Sequence, residues 1–194
     1  MSNAGTVVRT SAEEKLLVAA CEMLAEVGPR AASVRAVAAR AGVNHGLVHH
    51  YFGSKDALLR AAMSRLVHEH SVSARAFAGR DGSPAPLGLL RETRYLHAVV
   101  RCILDGEMGL ARTELDEDVS VPRDAYRAMR RRAGADVDDA RVKAMAGIGM
   151  ALEMGWAAVE PFIAAVTGTD SEGMEDVRRE AVKLRNDIAR TYLA

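Results

Sequence analysis

The most constraining stretch of the chain is VRAVAARAGVNHGLVHHYFGSKDALL, residues 34–59, in which Gly42 separates two short apolar-patterned segments. Glycine reaches positive φ without steric penalty, so it lets one helix stop and the chain reverse sharply. Ser33 is placed to cap the first segment, whose Val34, Val37, Ala38 and Ala41 point one way, and Val43 plugs the corner. Asn44 is an N-cap for a second helix of about seven residues, broken at Gly53-Ser54 before Ser54 caps a long helix to about Ala78.

The flanking pattern is helical throughout. Ser11-x-x-Glu14 is a capping box, followed by Leu16, Ala20, Met23 and Val27 on one face, and Gly28-Pro29 stops that first helix. Arg80 to Pro86 forms a polar loop. Beyond it the pattern predicts a helix from Leu87 to Leu104, an acidic irregular stretch to Pro122, and a helix to about Ala133. A long helix over 137–166 and a last one over 171–193 follow. Hydrophobic residues make up 49% but aromatics only 4%, which favours helices packed on helices over β-sandwiches. The expectation is an all-α chain of about nine helices, with a three-helix head at 9–53 and a helical-bundle body at 54–194.

The 26 basic and 26 acidic groups cancel, so any attraction to nucleic acid must be local. Between residues 28 and 60, Arg30, Arg35, Arg40, Lys55 and Arg60 stand against Asp56, a net of +4. The acidic run Asp105, Glu107, Glu114, Asp116, Glu117 and Asp118 reads as solvated surface. Cys21 and Cys102, 81 positions apart, have neither disulfide nor metal spacing and read as buried thiols in a reducing cytoplasm. The opening MSNAG lacks a secretory pattern and reads in part as a cloning remnant. Residues 144–168 are apolar enough to span a bilayer, but Glu153 and Glu160 would each cost about 2.5–3.5 kcal/mol there, so a soluble helix is expected.

Two faces near the C-terminus are informative. Met174, Val177, Ala181, Leu184, Ile188 and Tyr192 form an apolar stripe, and Ala144, Gly147, Ala151, Gly155 and Ala158 a stripe of small residues on the preceding helix. Such faces can be plain core or, since a two-fold contact uses the same patch on both subunits, a homodimer interface, and the homodimer is the preferred expectation.

The histidines His45, His49 and His50 lie on the second short helix. His45 and His49 have the i, i+4 spacing that can hold a metal, but Gly46 stands where a zinc protease carries its base and no third ligand is evident. No Ser, Cys or Asp partner sits at a catalytic spacing either. No catalytic residue, metal or cofactor is therefore expected. Insertion into a DNA major groove accounts for more residues at once: a rod about 10 Å long fits a groove about 12 Å wide. Imidazoles bond to base edges and phosphates, Leu47 offers an apolar contact to a thymine methyl, and Gly46 allows close approach. Ser33 and Lys55 flank this helix, placed for phosphates.

Ser33, Val37-Ala38, Ala41-Gly42-Val43, Gly46, Phe52, Lys55 and Leu58 have the spacing of a known motif. In them the stretch resembles the helix-turn-helix of the tetracycline-repressor (TetR) family of bacterial transcription regulators. GWAAVEPFIAAVTG, from Gly155, also looks like the penultimate helix of some members. The resemblance implies a homodimer with two DNA-binding heads, whose bodies enclose a small-molecule pocket and whose ligand usually releases the double-stranded operator. Carried over by position, Ser33, His49 and Lys55 contact the backbone, while His45, Gly46 and Leu47 read bases or their neighbours; Asn44, His50 and Tyr51 complete the candidate DNA surface. His49 stands where a tyrosine is usual, with Tyr51 two places later. Phe52 belongs to the head's core.

For the body, Tyr95, His97, Met108, Tyr126, Met145, Met150, Met154, Trp156 and Phe162 are candidate linings of an apolar effector site. His97 with Arg94, Arg101 or Glu107 is a candidate for a ligand's polar end. The reading that follows is a ligand-responsive repressor; the rival is a dimeric helical module whose head has lost DNA binding and docks another protein.

Overall fold

A computed structural model describes residues 11–80, 83–134 and 136–193, the side chains of Tyr192 and Leu193 excepted. The expected start of the head at residue 9, the opening MSNAG, Gly82 of the expected loop and the Tyr192 end of the last stripe's side chains lie outside these. Every regular element among the described residues is helical. The helices are α1 (Ala12–Glu26), α2 (Gly28–Ala31), α3 (Val34–Ala41), α4 (Gly46–Phe52), α5 (Lys55–Ala76), α6 (Thr93–Leu104), α7 (Met108–Ala111), α8 (Thr113–Asp116), α9 (Val121–Arg132), α10 (Asp139–Thr167) and α11 (Ser171–Leu193). A 3-10 turn, Gly88–Arg91, precedes α6.

Two compact units result: residues up to Leu66 with His97–Thr113, and Val67–Leu96 with Glu114 onward. The unit that carries the short helices thus extends past residue 53, taking in the first half of α5 and the stretch from His97. In it α1 packs on α2, α3 and α4. Leu16, Ala20 and Leu24 of α1, Val37 of α3, Val48 of α4 and Leu58, Ala62 and Met63 of α5 are sealed from water. Ser11 Oγ accepts the Glu14 N–H at 3.1 Å, but the Glu14 carboxylate bonds Arg65 of α5 at 2.6 Å, so the capping residue ties two helices together.

The structure corrects several sequence expectations. Val27 is 44% exposed, not part of the buried face of α1. Gly28-Pro29 ends α1 yet starts a further helical turn, α2, because proline suits the first positions of a helix. The helix expected from Leu87 begins at Thr93, since Leu87 adopts φ 54 and a 3-10 turn intervenes. The acidic stretch holds two one-turn helices, and with α2 these raise the helix number above the expected nine. Phe52 is half-buried rather than sealed in the core.

In the second unit α10 packs on α9, α11 and the 3-10 turn. The acidic run is not all solvated surface: Glu114 is 8% exposed and accepts from Tyr95 Oη at 2.6 Å and Ser120 Oγ at 3.1 Å. Burial, reinforced by the Glu114 charge and hydrogen bond, pushes the Tyr95 hydroxyl well above the usual tyrosine range and keeps it a donor. His70 stacks on Tyr95 with ring centroids 4.0 Å apart, is 6% exposed, and has a buried Nδ1 without a partner among the described residues. Glu153 of α10 accepts the Leu87 N–H at 2.8 Å and bonds Arg185 at 2.9 Å, and Glu160 bonds Arg178 and the Trp156 indole. Both carboxylates of the most apolar helix therefore point to α11. Among the described residues α10 is the one helix long and apolar enough to cross a membrane. Its opposite side exposes Ile148, Val159, Phe162 and Val166.

Both cysteines are buried thiols outside any disulfide, and Cys21 Sγ donates to the Ala62 carbonyl at 3.5 Å. Burial, with Asp105 and Glu107 adding to it, pushes the Cys102 thiol up to about 11.

Two predictions follow from this packing. Leu24→Ala lowers unfolding free energy by about 2–5 kcal/mol, whereas Val27→Ala changes it by no more than about 0.5 kcal/mol, read by urea denaturation. Equal losses would contradict the assigned faces. Burial holds the His70 imidazole below its ordinary pKa, partly offset by Glu92. The unfolded chain then takes up a proton the folded one resists, so stability is complete above about pH 6.5 and falls as pH drops below it. His70→Phe removes part of that fall; an unchanged pH profile in the variant would contradict it.

Candidate nucleic-acid interface

The local sequence sets the geometry of the α3–α4 pair. Ser33 Oγ accepts the Ala36 N–H at 3.2 Å and so starts α3. Gly42 ends it in the left-handed region, φ 66 and ψ 34, with Gly42 N–H donating to Ala39 O at 3.2 Å and Val43 N–H to Ala38 O at 3.1 Å. A side chain at Gly42 would have room but not the conformation, so its role is angular. Asn44 Oδ1 accepts the Gly46 N–H at 2.8 Å, which places His45 at the helix entrance and commits the Asn44 side chain to capping. Ser54 Oγ accepts the Ala57 N–H at 3.0 Å and starts α5.

Of the α4 side chains Val48 is the sealed anchor. On the other side His45, Gly46, His49 and His50 are exposed, Leu47 is half-buried and Tyr51 is 40% exposed, its ring edge-on to His50 at 4.8 Å. His49 Nδ1 lies 3.1 Å from the Gly53 carbonyl oxygen, and the Gly53 N–H donates back to the His49 carbonyl at 3.1 Å. Gly53 reaches this arrangement with φ 77. Lys55 is half-buried, its Nζ 3.5 Å from the Arg30 carbonyl. Ser33, Asn44 to Leu47, His49 to Tyr51 and Lys55 thus fall on or beside one small helical unit.

The local positive charge is smaller than the window from 28 to 60 implies. Arg40 pairs with Glu26 at 2.6 Å and Glu22 at 3.8 Å, and its hydrogen bond holds Glu26 below the usual carboxylate range. Arg30 Nη2 donates to the Asp105 carbonyl at 2.7 Å. Those partners lie outside the window, so counting within it could not find them. Arg35 and Arg60 remain exposed.

The body candidates differ in exposure and in the compact unit that carries them. Tyr95 and Met145 are buried, Tyr126, Met154 and Trp156 half-buried, and His97, Met108, Met150 and Phe162 exposed. His97 and Met108 belong to the other compact unit from Tyr95. Arg94 pairs with Glu69 at 2.8 Å and Arg101 Nε donates to the Ala25 carbonyl at 2.8 Å, so neither is an idle partner for His97. Sequence reasoning missed His70, Glu114 and Ser120, because nothing in their spacing signals that they meet around Tyr95. Among the described residues no group of three or more His, Cys, Asp or Glu side chains is placed to hold a metal ion.

Comparison with known proteins agrees with the head and extends beyond it. Residues 16–62 match the model of the bacterial regulatory proteins, tetR family. The HTH-type transcriptional repressor Rv3405c of Mycobacterium tuberculosis is 31% identical over 173 residues, 84% of this chain and 81% of that protein. The HTH-type transcriptional regulator BetI of Stenotrophomonas maltophilia is 41% identical over 71 residues, 35% of this chain and 36% of that one. A tetR-family transcriptional regulator from Streptomyces coelicolor shares the fold at a TM-score of 0.53 and 19% identity, over 94% of this chain and 88% of that one. The chain is therefore a member of the TetR family of bacterial regulatory proteins, a DNA-binding transcriptional regulator and not an enzyme.

Proposed function

We propose that the chain acts in the cytoplasm as a homodimeric repressor that lays α4 of each head in the major groove of a double-stranded operator and is released by a small apolar effector. One observation carries the DNA half of this reading: α4 is held from behind by Val48 and turns His45, His49 and His50 outward. Residues at the start of such a helix meet base edges and flanking groups meet phosphates. His45, Gly46 and Leu47 are therefore assigned to base reading, with Asn44 holding their entrance. Ser33, His49, His50, Tyr51 and Lys55 are assigned to the backbone around them.

Dimerisation through α10 and α11 is supported by what a single chain leaves bare. Ile148, Val159, Phe162 and Val166 share a side of α10 with the small residues Ala144, Gly147, Ala151, Gly155 and Ala158, and Leu184 and Ile188 of α11 are 57% and 44% exposed. Burying such a surface is worth roughly 25 cal/mol per Å². A bilayer would also cover apolar side chains, but it would have to take in Glu153, Glu160 and their arginine partners, a cost that a protein partner on the far side avoids. Met150 and Phe162, exposed on α10, fit this surface as well as an effector site.

Tyr95 and Met145, with the half-buried Tyr126, Met154 and Trp156, remain the body's candidates for effector contact. Effector binding acts as a population shift: a ligand that prefers the released form by about 100-fold supplies roughly 2.7 kcal/mol, enough to misalign heads that must match half-sites about 34 Å apart.

Selection from a random DNA pool at several salt concentrations is the test: the expected outcome is an enriched motif whose affinity falls as salt rises. An unenriched pool with no salt slope would favour a head that docks protein instead. On the selected site, Lys55→Ala weakens binding to all sequences alike, while His45→Ala changes preference at one base step; identical losses on every sequence would refute the division of roles. Phe162→Glu shifts the dimer to monomer in sedimentation velocity while leaving helicity intact. A wild-type chain that sediments as a monomer at micromolar concentration would overturn the interface.

A further inference from the structure

His49 is constrained in a way that decides what it can offer DNA. Its Nδ1 is 3.1 Å from the Gly53 carbonyl oxygen. A carbonyl only accepts, so Nδ1 must carry the proton of that bond. In a neutral ring Nε2 is then a bare lone pair. A phosphate oxygen also presents only lone pairs, so a neutral His49 repels it. The imidazolium donates from both nitrogens, keeping Gly53 and gripping phosphate together.

The placement favours phosphate over a base edge. His49 is exposed on the second turn of a seven-residue helix whose entrance, at His45 and Gly46, is the end suited to bases. The reciprocal Gly53 N–H bond to the His49 carbonyl fixes the backbone that carries the ring, so swinging Nε2 elsewhere means giving up the Gly53 contact. We propose that His49 holds a DNA phosphate only as an imidazolium, so that each head takes up one proton on binding its operator. This rests on the assignment of α4 to DNA made above.

The charged and titratable surroundings are few. On α4 they are His45, His50 and Tyr51, and at the start of α5 Lys55 and Asp56. On α1, which packs against α4, Glu14 is engaged by Arg65, and Glu22 and Glu26 by Arg40, leaving Glu13 and Lys15. α2 and α3 contribute Arg30, Arg35 and Arg40.

The test is the dissociation constant for the selected operator between pH 6 and 8.5, for the full chain and for His49→Gln, whose amide donates without titrating. The wild-type constant is expected to rise by up to about tenfold per pH unit for each head above pH 7, and the variant's to stay flat. The salt slope of the wild type should be steeper than that of His49→Gln by about 0.9 for each head, a change that a merely structural histidine would not produce. Nitrogen-15 NMR of the ring is expected to show Nδ1 alone protonated in the free protein at pH 8 and both nitrogens protonated in the complex. Acid weakens the folded body through His70, so tighter binding at low pH cannot come from greater stability. A pH slope that persists in His49→Gln, or a neutral His49 ring in the complex, would overturn proton uptake while leaving the regulator intact. Absence of operator binding at every pH would remove both.

Discussion

The burial of Val48 against the head is the contact on which the outward side of α4 depends. A seven-residue helix has too few internal hydrogen bonds to persist alone, and the valine, fully sealed, is its single buried anchor. The direction in which α4 leaves is set just before it, by the left-handed Gly42 and the Asn44 cap on Gly46. With one side chain fixing the inner face and a turn fixing the axis, three imidazoles, a half-exposed leucine and a tyrosine end up together on the outside.

The same economy explains where sequence reading succeeded. Capping residues and glycines act within three or four positions of themselves, so Ser33, Gly42, Gly53 and Ser54 marked the ends of α3, α4 and α5 almost to the residue. What the sequence leaves illegible depends on groups far apart in the chain. Glu114 reads as solvated surface in the sequence because its hydroxyl donor Tyr95 lies 19 positions away. The net positive charge around the head looked larger than it is because Arg40 and Arg30 are matched from α1 and from Asp105. Local backbone conformation misled too: Leu87 at φ 54 delays a helix that its neighbours' apolar pattern would have begun sooner.

The body is a different kind of surface. α10 turns its carboxylates to arginines of α11 and its small and large apolar residues outward, the reverse of what an isolated helical pair would adopt in water. That arrangement makes sense as half of a larger core. The candidate effector residues divide by exposure, with Tyr95 and Met145 buried and Met150 and Phe162 on the exposed face.

On the proposed reading the outer face of α4 meets DNA bases. Placing a photo-crosslinking side chain at Leu47 and irradiating the protein bound to its selected operator tests this most directly. A crosslink to a major-groove base within the half-site is the expected result. Operator DNA that crosslinks from the body and not from position 47 would contradict it.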